Sequence, residues 1–137
     1  MHPLRKLLPL ILVVTLVLPA SGAVVGQNDQ EVKAAADPIL DRLLAGLQEN
    51  DYQAYSQDFD DTLKEAVSEK KFQQVRTQIM NKLGKLQSRT FLGSLKQNNM
   101  SVVLYRATFE RSENDVLIKM VVSKRKDRIL VTGLWFQ

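Results

Sequence analysis

The sequence predicts an α+β domain in which N-terminal helices pack in a curved, four-stranded antiparallel sheet. Up to residue 84 the apolar residues recur every three or four positions, as in amphipathic helices, and from Leu86 onward they alternate with a period of two. β-branched and aromatic residues also become common in the second half, as is typical of strands. Helices followed by a run of consecutive strands indicate an α+β architecture.

The first helix is predicted from about residue 30 to 48. Asp37-Pro38 within it either caps a new helix or bends a longer one, and we favour the single longer helix. Its apolar residues form one broad stripe for burial. They are Val32, Ala36, Ile39, Leu40, Leu43, Leu44 and Leu47.

Three further helices are predicted from their caps. Asp51 begins a short turn of helix through the two tyrosines that follow it, and Asp60 lies at the start of a second short helix that ends at Val67. Ser68 caps a longer helix, and Gly84 ends it.

Four strands are predicted, at about 87–97, 101–111, 115–124 and 128–136, with links short enough for hairpins. Consecutive hairpins give an antiparallel meander, and Gly133 indicates a bulge or bend in the last strand. The alternation assigns a set of residues to the inner face. It comprises Val103, Tyr105, Ala107, Phe109, Val116, Ile118, Met120, Val122, Ile129, Val131 and Trp135.

The N-terminus has the pattern of a secretory signal peptide. Arg5 and Lys6 precede an apolar run over 7–18, and small residues follow up to Ala23. This run is shorter than the ~20 residues that span hydrocarbon. We therefore predict residues 1–23 as a signal peptide, 24–30 as a linker and 31–137 as one domain. The chain is then exported, periplasmic or secreted, and soluble after signal removal with no stable membrane span.

Composition excludes several kinds of site. The sequence has no cysteine, and its one histidine, His2, is removed with the predicted signal peptide. Nucleophilic triads based on His or Cys and the usual zinc sites are therefore excluded, and a Gly-rich phosphate loop is absent. The formal net charge of +4 falls once Arg5 and Lys6 are removed, so nucleic acid is not an expected partner. We predict no cofactor and no metal.

The stretch NDYQAYSQDFDDTLKEAV, residues 50–67, places several carboxylates beside two phenols. Such a group can bind a metal or perform acid/base catalysis. However, Asp51, Asp60 and Asp61 are explained as caps at helix starts, and the pattern lacks the glycine and distal glutamate of a calcium loop. We interpret DFDD as a helix junction with Phe59 buried and the carboxylates facing water.

Asn50-Asp51-Tyr52 after the first helix, Phe59-Asp60 before the next, Gly84 before the sheet and the last strand from Ile129 to Leu134 carry a family resemblance. The chain resembles the nuclear-transport-factor-two-like, or cystatin-like, superfamily over nearly all of residues 31–136. More narrowly, it resembles a bacterial secreted branch known only as a domain of unknown function. The resemblance implies a cone in which the sheet wraps the first helix. A first strand between the helices, present in the larger enzymes, is not evident here.

Enzymes of that superfamily, such as steroid isomerases and small dehydratases, use Tyr with Asp or His at the open end of the cone. Here only Tyr52, Tyr55 and Tyr105 with Asp58 or Asp60 could replace that pair. Trp135 is a further pocket candidate, and with Tyr105 and Phe109 it would close a filled cone. We predict a non-catalytic binding or interaction module for an unknown protein or small-molecule ligand. The alternative is a small-ligand binder or an isomerase- or dehydratase-like enzyme at the open end.

The predicted outer face of the sheet carries apolar residues where a one-sided sheet should be polar. We interpret this row as a contact surface, most simply in a homodimer, unless the N-terminal segment or strand ends cover it. The row comprises Val102, Leu104, Leu117, Val121, Leu130, Leu134 and Phe136.

Overall fold

A computed structural model describes residues 22–137. The helices of this part are α1 (Asp29–Glu49), α2 (Tyr52–Ser56), α3 (Asp61–Ala66) and α4 (Glu69–Lys82), and the strands are β1 (Leu86–Gln97), β2 (Met100–Phe109), β3 (Val116–Arg125) and β4 (Arg128–Phe136). The α+β prediction is confirmed. The predicted signal peptide lies, up to residue 21, outside the described residues. None of the helices described is both long and apolar enough to cross a membrane.

The helix starts follow the predicted caps. The side chains of Asp51, Asp60 and Ser68 each accept a hydrogen bond from the backbone N–H three residues later. α1 continues through Pro38 as one helix, as favoured above. It ends at Asn50, whose left-handed backbone (φ 59°) lets the next N–H, that of Asp51, bond to the Gly46 carbonyl at 2.8 Å.

The four strands form an antiparallel meander in the order β1-β2-β3-β4. The β1–β2 turn consists of Asn98 and Asn99, both with positive φ (50° and 60°). Two successive asparagines with positive φ are typical of the tight hairpin turns whose twist matches the strands. The meander prediction is therefore confirmed.

The core lies between the apolar stripe of α1 and the inner face of the sheet. All seven predicted residues of the α1 stripe are buried. Phe59 and Phe72 join this core from the shorter helices and their links, whereas Trp135 does not. The largest fully buried side chains on the sheet are Tyr105, Phe109, Ile118 and Met120, so side chains fill the space under α1.

A bulge in β4 reverses the predicted faces of its last residues. Val122 pairs with Val131, but Val121 pairs with Gly133, so β4 has one extra residue between them. The alternation therefore changes phase: Leu134 and Phe136 face inward and pack on the core, whereas Trp135 is on the outer face and 46% exposed. The assignments of these three residues to the sheet faces were wrong. A bulge was predicted at Gly133, but the inward and outward alternation was continued past it without the one-residue shift that a bulge causes.

The segment before α1 is packed on the sheet and differs from the linker predicted over 24–30. Ala23 exchanges two backbone hydrogen bonds with Lys124 of β3, at 2.9 and 2.8 Å. Val25 is buried, and its backbone N–H donates to the Ser101 hydroxyl while its carbonyl accepts from that hydroxyl. This segment therefore belongs to the domain.

Candidate functional site

Two of the predicted site residues, Tyr52 and Tyr55, belong to an aromatic cluster beside α1. The Tyr55 ring lies 4.7 Å from that of Phe72 and 5.3 Å from that of Phe59, centroid to centroid. The Tyr52 hydroxyl donates a hydrogen bond of 2.7 Å to the Val67 carbonyl. Burial raises the pKa of Tyr55 to about 12, so its phenol stays neutral at physiological pH.

The DFDD stretch lies against the edge of β4 instead of projecting into water. Phe59 forms a parallel bridge with Val131, in which Asp60 N–H donates to the Val131 carbonyl and Val131 N–H donates to the Asp58 carbonyl. The Asp58 carboxylate accepts two hydrogen bonds from Arg42, at 3.0 and 2.8 Å. Asp60 is only 7% exposed. The expectation that these carboxylates face water was wrong for Asp58 and Asp60, because the bridge draws both toward the sheet.

Tyr105 has a carboxylate partner that differs from the predicted ones. Its hydroxyl donates a 2.8 Å hydrogen bond to Oδ1 of Asp37 on α1. The other oxygen of Asp37 accepts from Lys33 at 2.7 Å and lies 3.4 Å from Arg89. Arg89, on β1, in turn donates two hydrogen bonds to Asp41, at 2.8 and 2.7 Å. Tyr105 therefore belongs to a network that fastens α1 to β1 and β2.

The pKa shifts in this network keep Asp37 and Arg89 charged and Tyr105 neutral at physiological pH. Partial burial opposes ionisation of Asp37, but hydrogen bonds from Lys33 and Tyr105 and the charge of Arg89 lower the pKa of its carboxyl below the ordinary value. Burial and the Asp37 hydrogen bond raise the pKa of Tyr105 well above its ordinary value. Hydrogen bonding to Asp41 raises the pKa of Arg89. The phenol is neutral and completely buried, so no substrate atom can reach it in this conformation.

Sequence reasoning missed the acidic residues of this network and their partner Arg89. The spacing of Lys33, Asp37 and Asp41 by four residues was a usable signal, since it places all three on one face of a helix. The identity of the partner could not be read from spacing, because Arg89 is on a strand 48 positions after Asp41.

An apolar groove lies between α4 and the end of β4. It has a volume of ≈ 320 Å³ and is open to solvent along part of its length. The inward-facing Leu134 and Phe136 and the outward-facing Trp135 all line it, so the groove follows the edge of β4 that faces away from β3. Its remaining lining residues are Tyr55, Phe59, Leu63, Val67, Lys71, Val75, Gln78 and Ile79.

The groove continues past the end of β4 into a second cavity of ≈ 640 Å³. The two cavities share Gln78, Ile79 and Phe136. Among the described residues, the charged side chains that line them are Lys71 in the first and Lys82 in the second. Side chains that are mostly apolar, with a few polar groups and one sign of charge, suit binding of an apolar ligand with an acidic end.

The outer face of the sheet is less exposed than the alternation predicts. Val102 and Val121 are only 6% and 8% exposed within the single chain. Sδ of Met100 on β2 lies 3.5 Å from Oγ1 of Thr132 on β4, so this side chain crosses β3 on the outer face. Leu104 and Leu130 are half-buried there, and Leu134 faces inward as described above. The exposed apolar side chains of this face are Leu95 and Trp135, at 51% and 46%.

The described part of the chain contains no cluster of side chains suited to bind a metal ion. Within residues 22–137, no group of three or more His, Cys, Asp or Glu side chains is arranged to hold a metal ion. Two acidic residues of DFDD instead form ion pairs, Asp58 with Arg42 and Asp60 with Arg125.

Comparison with known proteins gives one match. A family model described as "Protein of unknown function (DUF3887)" matches residues 41–127, more than half of the chain. The match runs from the middle of α1 to the β3–β4 turn, so β4, one wall of the groove, lies after it. No curated protein and no solved structure matches the chain. The chain belongs to this uncharacterised family.

Proposed function

We propose that this protein is an exported, non-catalytic binding module whose ligand occupies the groove between α4 and β4. The observation that carries the proposal is the composition of this groove. Most of its lining side chains are apolar, among them Tyr55, Ile79 and Phe136, and the groove remains open to solvent. A concave apolar site with few polar groups is the usual form of a binding site.

The ionisable residues near the groove favour binding over catalysis. General acid/base catalysis needs a titratable group within hydrogen-bond reach of a substrate proton. Asp58 is paired with Arg42, and the Tyr105 hydroxyl is bonded to Asp37 away from the groove. Tyr55 does line the groove, but its raised pKa makes it a weak acid for such a role. An isomerase- or dehydratase-like activity would therefore have to use Tyr55 or Lys71.

We also propose that the domain is a small member of the cone architecture in the nuclear-transport-factor-two-like superfamily. Support comes from the order of elements, a long first helix packed on β1 and β2, and the bulges in β1 and β4 that bend the sheet. Export is proposed from the signal-peptide pattern of residues 1–23.

A direct test is titration of the exported chain with N-phenyl-1-naphthylamine, an uncharged apolar dye that fluoresces when it leaves water. The blocking variant is Gln78→Arg, because exposed Gln78 lines both cavities. The matched control is Thr77→Arg, the neighbouring exposed position on α4, which adds the same charge and lines neither cavity.

We expect saturable dye binding to the wild type and to Thr77→Arg, and binding weakened by about tenfold or more in Gln78→Arg. Equal binding by both variants would show that the dye binds elsewhere and would contradict the proposal. Turnover of an added hydroxy acid or ketosteroid is not expected. If the protein converted either compound and Tyr55→Phe abolished the conversion, the enzyme alternative would replace the binding proposal.

A second candidate function is self-association through the outer face of the sheet. Leu95 on β1 and Trp135 on β4 expose large apolar side chains there, and half-buried Leu104 lies between them on β2. A two-fold homodimer would bury this patch on both copies. Because Val102 and Val121 are already buried in the single chain, its centre lies closer to Leu104 than to Val121.

A further inference from the structure

We infer that the occupant of the groove is an extended polypeptide segment of a partner protein, which adds to the free edge of β4 as a further strand. This inference rests on the proposed function, because it names the ligand class of the same groove. Its support comes from the backbone of β4, whereas the proposed function rests on the lining side chains.

The hydrogen-bond pattern of the β3–β4 ladder shows which backbone groups of β4 point into the groove. Gln137 and Leu117 exchange both backbone bonds, at 2.8 Å each. In an antiparallel ladder, hydrogen-bonded pairs alternate with pairs whose backbone groups point outward. Phe136, opposite Ile118, and Leu134, opposite Met120, therefore direct their N–H and C=O groups away from β3.

The same edge already carries an isolated parallel bridge at Val131, three residues before Leu134. At Val131 the outward N–H and C=O groups bond to the Asp58 carbonyl and the Asp60 N–H, at 2.7 and 2.9 Å. In the described part of the chain, this bridge is the only pairing on that side of β4. The described residues thus fill the edge at Val131 and leave it open at Leu134 and Phe136, where the groove lies.

Backbone groups that face an apolar groove favour a peptide over an apolar small molecule. A hydrocarbon ligand would remove water from the Leu134 and Phe136 amides and offer no hydrogen bond in return, which costs free energy. An added strand pairs these groups and places alternate side chains in the groove, as in other cases of β-strand addition.

The charges that border the groove define the chemistry of the partner segment. Lys71 and Lys82 are the charged lining residues, and both are cationic. The segment is therefore expected to alternate apolar with other residues, so that the apolar ones meet Val75 and Ile79 on α4. Acidic residues at its ends would complement the two lysines.

The test uses a display library of random dodecapeptides selected on the wild-type chain and counter-selected on Gln78→Arg. Selected peptides are then synthesised with single backbone N-methyl groups at each position in turn. N-methylation removes one hydrogen-bond donor and leaves the side chain in place. The dye N-phenyl-1-naphthylamine serves as a competitor, and the sedimentation of each complex reports its stoichiometry.

We expect alternating apolar peptides that displace the dye and form 1:1 complexes, with N-methylation weakening binding by about tenfold at every second position. If the loss of affinity on N-methylation did not alternate from one peptide position to the next, strand addition would be overturned. If the dye binds the groove but no peptide is selected, strand addition also fails, and the proposed apolar site survives. If neither the dye nor any peptide binds, both the apolar site and strand addition are contradicted. A dimer of the free chain that Gln78→Arg separates would instead identify a second copy as the occupant.

Discussion

Oδ2 of Asp60 lies 3.2 Å from Nη2 of Arg125, and the other carboxylate oxygen accepts the Leu63 N–H that caps α3. One side chain therefore joins the start of α3 to the tip of the β3–β4 hairpin. The Nε atom of Arg125 is buried and has no hydrogen-bond partner among the described residues. The Asp60 carboxylate is thus the main group that offsets the cost of partly burying the charged guanidinium of Arg125.

Replacing Asp60 with Asn tests this relationship. The amide retains an oxygen for the cap but removes the charge that faces Arg125, so we expect the free energy of unfolding to fall by ~1–3 kcal/mol. Exposed Asp61, on the next position, is the control, and Asp61→Asn should change stability by less than ~0.5 kcal/mol. Equal, small effects in urea denaturation would contradict a structural role for the Asp60–Arg125 pair.

Leu43→Ala should have the larger effect. Leu43 is 3% exposed and belongs to the stripe of α1 that packs on the sheet. The substitution removes buried methyl groups and leaves a cavity, with an expected loss of ~2–5 kcal/mol. Gln30→Ala, at an exposed position of the same helix, is the control. If Asp60→Asn proved more damaging than Leu43→Ala, α1 would not be the centre of the core.

Alkaline pH should destabilise the fold through the buried tyrosines. Burial raises the folded-state pKa of Tyr55 from 10.0 to about 12, so its contribution is complete below pH 10.0 and is lost as the pH rises toward 12. A shift of this size corresponds to about 2–3 kcal/mol. Tyr55→Phe should therefore show a shallower loss of stability in that range, measured by urea denaturation at stepped pH. Parallel wild-type and variant curves would show that Tyr55 titrates normally.

Acid should weaken the network around Asp37. Its folded-state pKa lies below the ordinary value of 3.8, so the stabilisation is present above pH 3.8 and is lost as the pH falls through the folded value. Asp37→Asn keeps an oxygen for the Tyr105 hydroxyl but cannot titrate. The stability difference between wild type and variant should therefore shrink on acidification below about pH 4. A constant difference would indicate that Asp37 does not favour its charged form in the fold.

Local sequence patterns predicted most of the fold, whereas the site depended on pairings across the chain. Asp51, Asp60 and Ser68 gave the helix starts because a cap acts within three residues. The partners Asp37 and Arg89 could not be matched, since their contact joins a helix to a distant strand. The position of Trp135 was only partly predictable, because the sequence signalled the bulge beside it but not the register.

Gly133 indicated the bulge that controls the position of Trp135. The Trp135 ring lies against Gly133, where an added Cβ would be 2.5 Å from a ring carbon. The phase change that turns Trp135 outward and Leu134 inward depends on which residue of β4 lacks a partner on β3, and that register is a property of the assembled sheet.

Self-association predicts a change of mass with a single substitution. Sedimentation of the chain from residue 24 onward should give a dimer that Leu104→Lys converts to a folded monomer, because the substitution places a charge at the centre of the patch on both copies. Thr108→Lys, on the same face of β2 but toward the other end of the strand, should leave the dimer intact. A wild-type monomer across micromolar concentrations would remove this role from the outer face.

The central claim, that the groove between α4 and β4 is the binding site, is tested most directly by methyl NMR of the labelled chain during titration with N-phenyl-1-naphthylamine. The account predicts saturable shifts for the methyl groups of Val75, Ile79 and Leu134, which line the groove, and unchanged signals for Leu95 and Leu104 on the outer face. Shifts confined to Leu95 and Leu104, or no saturable shift at the groove, would contradict it.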